Sequence, residues 1–98
     1  MIEIKYGQSH SDATYDYIIT ISQPMTLREF INEWIQDERE WGYFYLWDGR
    51  SRLDYDKCEY RYGEIISEPF SDDILNRKIK SVSGSGGWSR SDFCFVLQ

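Results

Sequence analysis

The side chains of this sequence that could carry out chemistry are few and scattered. His10 is the only histidine, and it lies beside Ser9, Ser11 and Asp12, a combination that could suggest a proton relay. Catalytic triads, however, are assembled in space and require a nucleophile held against its base. We therefore predict that His10 is a solvated loop residue whose replacement by alanine leaves function unchanged.

A glycine-rich segment, residues 84–87, is a second candidate, because successive backbone N–H groups can cradle a phosphate. Recognised phosphate loops continue into a helix and usually carry lysine followed by serine or threonine. Here Trp88, Ser89, Arg90 and a strand-like run follow instead. The pattern favours a flexible hairpin tip that displays Trp88 and Arg90, and both residue types commonly anchor protein interfaces.

Acidic side chains are plentiful on or beside the predicted strands, and any two could be spaced as in a glycosidase. Such pairs are unavoidable on an acidic surface, so they do not indicate catalysis. One histidine, two separated cysteines and no calcium-loop spacing provide no set of metal ligands. We predict no enzymatic activity, no metal and no cofactor. The carboxylates considered are Asp48, Asp54, Asp56, Glu59, Glu64 and Glu68.

The N-terminus predicts a cytoplasmic protein, and this location in turn predicts the state of the cysteines. Residues 1–5 begin with strand-like alternation and lack the charged region and apolar run of a signal peptide, and no stretch approaches the ~20 apolar residues of a membrane span. In a reducing compartment Cys58 and Cys94 are expected to be partly buried free thiols. A disulfide is the alternative if the two lie on one face of adjacent strands at the right separation.

The charge balance restricts the partners that we expect. Seventeen acidic and 11 basic side chains give a formal net charge of −6. This charge opposes non-specific attraction to nucleic acids and anionic membranes, so we predict neither as a direct partner. The same field would speed the encounter with a basic protein.

The segment from Trp41 to Trp47 places five aromatic side chains in seven positions. Read as a strand, it turns Trp41, Tyr43, Tyr45 and Trp47 to one face and the two intervening apolar residues to the other. Such a strand is either central in the core or covered on its outer face by something else. With tyrosines of the adjoining strand, the segment predicts an alternative ligand-binding face of Tyr43, Tyr45, Trp47, Tyr60 and Tyr62.

A helix is predicted over about residues 26–40. Thr26 and Glu29 form a capping-box pair, Met25 and Phe30 occupy the staple positions, and Pro24 lies just outside. An apolar stripe with helical spacing predicts one buried face. The stripe consists of Leu27, Phe30, Ile31, Trp34 and Ile35.

The end of this helix carries Asp37, Glu38 and Glu40, where the helix dipole prefers cations. This unfavourable arrangement makes the three carboxylates candidate partner-binding residues. Gly42 is expected to end the helix in a left-handed conformation, which makes Trp41 the last helical residue and begins the strand at Tyr43.

The remaining pattern predicts strands over 2–6 and 15–22, a loop from Gly7 to Thr14, one bent or two short strands over 53–66, a short helix over 72–77, and a hairpin of 78–83 with 92–97. Asp48-Gly49 is predicted to begin a turn. The order ββαβ(β)(α)ββ resembles the β-grasp, ubiquitin-like arrangement. It implies one α+β domain over residues 1–98, with a mixed or antiparallel sheet of five to six strands packed on one main helix.

These features favour a small protein-interaction domain that docks onto, or inhibits, a larger and basic partner. The contact residues expected from the sequence are Asp37, Glu38, Glu40, Trp88 and Arg90. Small size, acidity and aromatic content suit inhibitors of the toxin-immunity or phage anti-defence type. A ligand- or peptide-binding module is the alternative, and an enzyme that uses Cys58 or a carboxylate pair is a third hypothesis, which requires a perturbed pKa in a cleft.

Overall fold

The computed structural model describes residues 2–11, 14–35, 41–47, 57–87 and 90–98. The described residues form seven strands and two helices, in an order that matches the sequence pattern. They are β1 (Ile2–Ser11), β2 (Thr14–Ile21), α1 (Leu27–Trp34), β3 (Trp41–Leu46), β4 (Cys58–Arg61), β5 (Glu64–Ser67), α2 (Asp72–Leu75), β6 (Ile79–Gly87) and β7 (Arg90–Leu97).

All seven strands belong to one mixed sheet with the order β1-β2-β6-β7-β3-β4-β5. Neighbouring strands are antiparallel except β3 and β7, which are parallel. The α+β class is therefore confirmed, but the sheet has more strands than the five to six predicted, and a second helix is present. The N-terminal hairpin of β1 and β2 lies at one edge of the sheet, and the last hairpin, β6 and β7, lies near its centre.

The start of α1 is the local feature that the sequence predicted most fully. The Glu29 backbone N–H donates to Thr26 Oγ1 over 3.1 Å, and the Thr26 N–H donates to Glu29 Oε1 over 3.1 Å. Both Met25 and Phe30, at the staple positions, are buried. The described helix ends at Trp34 with Ile35 as its C-cap, so it is shorter than predicted; residues 36–40 lie outside the described residues.

The core lies between the sheet and the apolar stripe of α1. The Phe30 ring contacts three aromatic rings edge-on, at centroid distances of 6.4 Å to Phe44, 5.4 Å to Phe93 and 4.9 Å to Phe95. Each buried aromatic ring removes more apolar surface from water than an aliphatic side chain does, and so contributes more to stability. The core cluster consists of Met25, Leu27, Phe30, Ile31, Phe44, Cys58, Tyr60, Phe70, Leu75, Ile79, Phe93 and Phe95.

The expectation that Trp41 ends the helix is wrong. Trp41 is the first residue of β3 and Gly42 the second, so the whole segment alternates as a strand from its start. Gly42 is needed here for space: a Cβ at this position would collide with the Ser91 carbonyl oxygen and lie 3.0 Å from the Tyr60 hydroxyl. The glycine therefore allows the β7 backbone and the Tyr60 side chain to approach β3 closely; it does not end the helix.

The glycine-rich segment is not a flexible hairpin tip. Gly84 to Gly87 belong to β6 and pair with β2 on one side and β7 on the other. A Cβ at Gly84 would lie 2.9 Å from Ile19 Cδ1 and 3.0 Å from Phe93 Cδ1, so the glycine leaves room for these core side chains. The backbone groups of this segment take part in two strand ladders, which removes the phosphate-cradle interpretation.

One further boundary differs from the sequence-based expectation, whereas the alternative of two short strands within 53–66 agrees with β4 and β5. The segment expected to be a loop from Gly7 to Thr14 continues as β1 through Ser11, so His10 lies in a strand rather than in a loop. Tyr62 and Gly63, with φ values of 50° and 87°, form the tight turn between β4 and β5, which fits the type I′ hairpin geometry. The predicted turn at 48–49 lies outside the described residues.

The second helix was predicted over 72–77 and spans Asp72–Leu75. The Ile74 backbone N–H donates to Ser71 Oγ over 3.3 Å, which confirms Ser71 as the N-cap. Arg28 of α1 reaches Asp72 Oδ1 at 2.9 Å and so links the two helices.

Candidate interaction surface on the outer face of the sheet

Neither described helix covers the outer face of the sheet at β3. Side chains on alternate positions of this strand, Trp41, Tyr43 and Tyr45, form a row there. The Trp41 and Tyr43 ring centroids are 5.8 Å apart, and those of Tyr43 and Tyr45 are 5.9 Å apart. Phe44 lies between them in sequence but on the core side, as the alternation predicted.

Cations from the two strands beside β3 lie over these rings. The Arg90 guanidinium carbon of β7 is 5.1 Å from the Trp41 ring centroid and 4.9 Å from that of Tyr43. Lys57 Nζ, next to β4, is 4.9 Å from the Tyr43 centroid, and the Arg61 guanidinium carbon is 5.7 Å from the Trp41 centroid. At these distances each cation is attracted to the electron-rich ring face. We call this set of rings and cations the aromatic–cation face.

Two carboxylates fix the cations and the rings in place. Glu59 Oε2 accepts a hydrogen bond from Trp41 Nε1 over 3.0 Å and another from Arg61 Nη2 over 3.0 Å. Asp92 accepts from the backbone N–H of Tyr43 over 3.1 Å and binds the Arg90 Nε through both of its oxygens. The face therefore combines fixed rings with charges of both signs.

The pKa values of this surface follow from these contacts. The hydrogen bond from the Trp41 indole lowers the pKa of the Glu59 carboxyl, and Arg61 lowers it further. The hydrogen bonds to Asp92 raise the pKa of the Arg90 guanidinium. Both groups are consequently held in their charged forms.

The five residues of the predicted ligand-binding face differ in how far their side chains are exposed to solvent. Trp47 and Tyr62 are 44% and 57% exposed, and Tyr43 is half-buried. Tyr45 is only 3% exposed, and Tyr60 is completely buried. Tyr60 pairs with Gly42, on the core side of the sheet, so its assignment to the outer face is wrong. Tyr62 belongs to the turn after β4, so the five aromatic residues do not form one platform.

The buried Ser91 of β7 makes hydrogen bonds to tyrosines of two other strands, β4 and β2. The Tyr60 hydroxyl donates to the Ser91 carbonyl oxygen over 2.6 Å, and the Tyr17 hydroxyl lies 2.9 Å from Ser91 Oγ. Ser91 is 1% exposed, so these hydrogen bonds satisfy polar groups that would otherwise be costly to bury. They link β7 to β2 and to β4, neither of which is its neighbour in the sheet.

Of the predicted partner-binding residues, the structure places only Arg90. Asp37, Glu38, Glu40 and Trp88 lie outside the described residues. Arg90 was expected at a hairpin tip but is the first residue of β7, paired with Trp41 and Gly87. Sequence reasoning missed Lys57, Glu59, Arg61 and Asp92 as parts of the surface. The alternation predicted for residues 53–66 already places the first three on one face, but it does not show that this face adjoins Trp41 and Tyr43.

The cysteines are free, as expected, and they lie on opposite faces of the sheet. Cys58 belongs to the core, whereas Cys94 pairs with Tyr45 and borders a groove of the outer face. Burial raises the pKa of the Cys58 thiol to about 12, and the charge of Glu68 adds to this effect. A raised pKa keeps the thiol protonated, which is the opposite of what a nucleophilic cysteine requires.

The fold and this surface define a small α+β domain built on a mixed seven-stranded sheet. Comparisons with protein-family models, curated proteins and solved structures found no match to the chain. In the described part of the chain, no helix is long and apolar enough to cross a membrane.

Proposed function

We propose that this protein is an interaction domain that docks onto a larger protein partner through the aromatic–cation face. One observation carries the proposal: both described helices pack on the core side of the sheet, and the opposite side presents Trp41, Tyr43 and Arg90 in one fixed cluster, with Trp47 beyond it. Tryptophan, tyrosine and arginine are the residue types that contribute most to binding at protein interfaces.

The contacts within the face support binding because they reduce its cost. Arg90 is held by Asp92 and by two rings, and Trp41 is held by Glu59. A side chain that is already ordered loses little conformational entropy when a partner covers it. The face is therefore organised before any encounter.

The net charge of −6 supports a basic partner, since it would accelerate the encounter at long range. Asp37, Glu38 and Glu40 are retained as predicted contributors to this steering, and Trp88 as a predicted contact. An inhibitor of the toxin-immunity or phage anti-defence type would use this combination of acidic field and aromatic anchor against a basic active site.

The aromatic ligand-binding module receives less support. Lys57 and Arg90 both lie over the Tyr43 ring, where a stacked ligand would have to bind. Tyr45 and Tyr60 present almost no surface. We therefore place protein docking ahead of stacking on a small ligand.

Affinity capture from the native host, followed by binding measurements on the purified partner, tests the proposal. Trp47→Ala should weaken binding about 30-fold if Trp47 is an anchor, and Arg90→Gln should weaken it at least about tenfold. Ile18→Ala is the matched control, because Ile18 is an apolar residue, 57% exposed, on β2. Loss of binding in the control, or none in the two variants, would contradict docking through this face.

The charge component has its own test. Reversal of Asp37, Glu38 and Glu40 to lysine should slow association and flatten its dependence on salt, with a smaller effect on dissociation. Association kinetics that match those of the parent protein would exclude the steering role but leave the aromatic–cation face in place.

A further inference from the structure

Strands β2 and β6 are paired along only part of their length. Their ladder joins Thr14–Tyr17 to Gly84–Gly87 and stops there. Beyond it, the rest of β2 pairs with β1 alone, and residues 80–83 of β6 pair with β7 alone. The two strands leave a groove of about 530 Å³ between them, which is within the range of sites that bind small ligands or peptide side chains.

The two walls of this groove differ. From β6 the lining includes four consecutive residues, 79–82, so a continuous strand edge faces the groove. From β2 it includes the alternate residues Ile19 and Ile21, which also pack against the core. With Met25 and Val82 they provide an apolar floor.

Residues 22–25 also line the groove. One end is closed by the pairing of Tyr17 with Gly84, and the other by the connection that reaches Met25. The open strand edge above the apolar side chains is therefore limited to residues 80–83.

The main chain of this edge has unused hydrogen-bonding capacity. In a strand, alternate residues direct their N–H and C=O groups to opposite sides. At the end of the edge, the Ile79 N–H donates to the Met25 carbonyl oxygen over 2.8 Å. From residue 80 to residue 83 the only backbone pairing in the described part of the chain is with β7. An extended segment could therefore complete the ladder on the open side.

Charge at the mouth of the groove indicates which segment would fit. Lys80 lines the groove, and Arg77 and Lys78 precede it in the sequence, so three cations occupy four positions of an otherwise acidic chain. Arg77 donates to the Gln98 carbonyl oxygen, but Lys80 has no ion-pair partner among the described residues. The register also shifts at Lys80. Pairing of this edge with the same edge of a second copy would bring the Lys80 charges of the two copies together, so a second copy of this chain is disfavoured, whereas a peptide with a carboxylate would match the charge.

We propose that the groove between β2 and β6 binds an extended peptide segment of a partner protein, which adds as a strand to the β6 edge at residues 80–83. Apolar side chains at every second position of the peptide would contact Ile19, Ile21 and Val82, and a carboxylate would lie near Lys80. This site is separate from the aromatic–cation face, so either proposal can fail alone.

The test uses the full chain labelled with ¹⁵N and the capped hexapeptide acetyl-Thr-Val-Glu-Val-Thr-Val-amide. Saturable chemical-shift changes are expected at residues 79–83 and at Ile19 and Ile21, with slower amide exchange along the β6 edge. Two control peptides carry N-methyl groups on alternate residues, one set on the odd positions and one on the even. Because only one set of N–H groups can face β6, one control should bind about tenfold more weakly and the other should bind almost unchanged.

Lys80→Glu gives a matched variant, since Lys80 is exposed and its replacement leaves the core intact. The variant should bind the glutamate peptide roughly two- to fivefold more weakly and regain affinity for a peptide with lysine at that position. Several outcomes would overturn the proposal: no saturable shifts, equal binding of both N-methylated peptides, shifts confined to the aromatic–cation face, or self-association of the protein through β6 in the absence of peptide.

Discussion

The two faces of β3 use aromatic side chains in opposite ways. Phe44 points inward and is completely buried in the core cluster. Besides Phe30, it lies close to three rings: Tyr60 at 4.7 Å, Phe93 at 5.9 Å and Phe95 at 5.9 Å between centroids. Tyr43, the preceding residue, points outward and lies beneath Lys57 and Arg90. One face is completed by apolar packing and the other by charge.

This difference shows that aromatic content alone does not determine whether a strand face is buried. The neighbouring strands determine it, because β4 and β7 each supply apolar residues to one side of the sheet and charged residues to the other. A ring on the outer face gains attraction from cations without losing all contact with water. Such a ring can later be covered by a partner, whereas an inner ring cannot.

Substitution of the two adjacent residues should give the largest contrast. Phe44→Ala removes a fully buried ring and should lower the free energy of unfolding by about 3–5 kcal/mol. Tyr43→Ala removes two cation–ring contacts at a half-buried position and should lower it by about 1–2 kcal/mol. Urea denaturation monitored by circular dichroism provides both values.

A core variant of that severity is at risk of not folding, since small domains have only about 5–15 kcal/mol of stability. Phe44→Leu keeps the position apolar and should cost less than the alanine variant. Equal losses for Phe44→Ala and Tyr43→Ala would show that the outer face is as tightly packed as the core, and would remove the distinction between the two faces.

The buried and exposed environments can also be compared by removing one hydroxyl group from each of two tyrosines, Tyr60 in β4 and Tyr62 in the turn after it. Tyr60→Phe removes the buried hydrogen bond to the Ser91 carbonyl oxygen and should cost about 1–3 kcal/mol. Tyr62→Phe makes the same chemical change in an exposed turn residue and should remain within about 0.5 kcal/mol of the parent protein. A neutral Tyr60→Phe would indicate that water or another donor satisfies Ser91.

The smallest effect concerns the charge of Glu59. Because the folded-state pKa of Glu59 is lowered, its stabilising contribution is fully present above the unfolded-state pKa, near 4.5. The contribution is lost as pH falls through the lowered folded-state value. The free energy of unfolding, measured by urea denaturation across this acid range, should therefore depend less steeply on pH in Glu59→Gln than in the parent protein.

Trp41→Phe should flatten the same pH dependence, because it removes the indole N–H that contributes most to the lowered pKa while retaining an aromatic ring. If the pH dependence of the free energy of unfolding is the same in both variants as in the parent protein, the charge of Glu59 does not contribute to stability.

Local signals were the part of this fold that the sequence predicted well. The Thr26–Glu29 capping box, the buried residues Leu27, Phe30 and Ile31, and the inward position of Phe44 all depend on neighbours within a few residues. The order of the strands and helices was also predicted, because each element has its own period. These features need no knowledge of which strands become neighbours.

The features that were missed depend on long-range pairing. Gly42 and Gly84 carry typical turn signals, but their function is to leave room for Ser91 and Ile19, respectively, which are far away in sequence. Tyr60 has the same parity as Tyr62, yet its burial follows from its register opposite Gly42. The aromatic–cation face was missed in part for the same reason, because Arg90 reaches Trp41 only through the parallel pairing of β7 with β3.

The central position of β6 and β7 has a consequence for how the chain folds. The N-terminal hairpin joins the sheet only through β6, and the group of β3, β4 and β5 joins it only through β7. The two groups can therefore form one sheet only after residues 79–97 have paired with both of them. These pairings join strands that are distant in sequence, and such pairings favour slow folding.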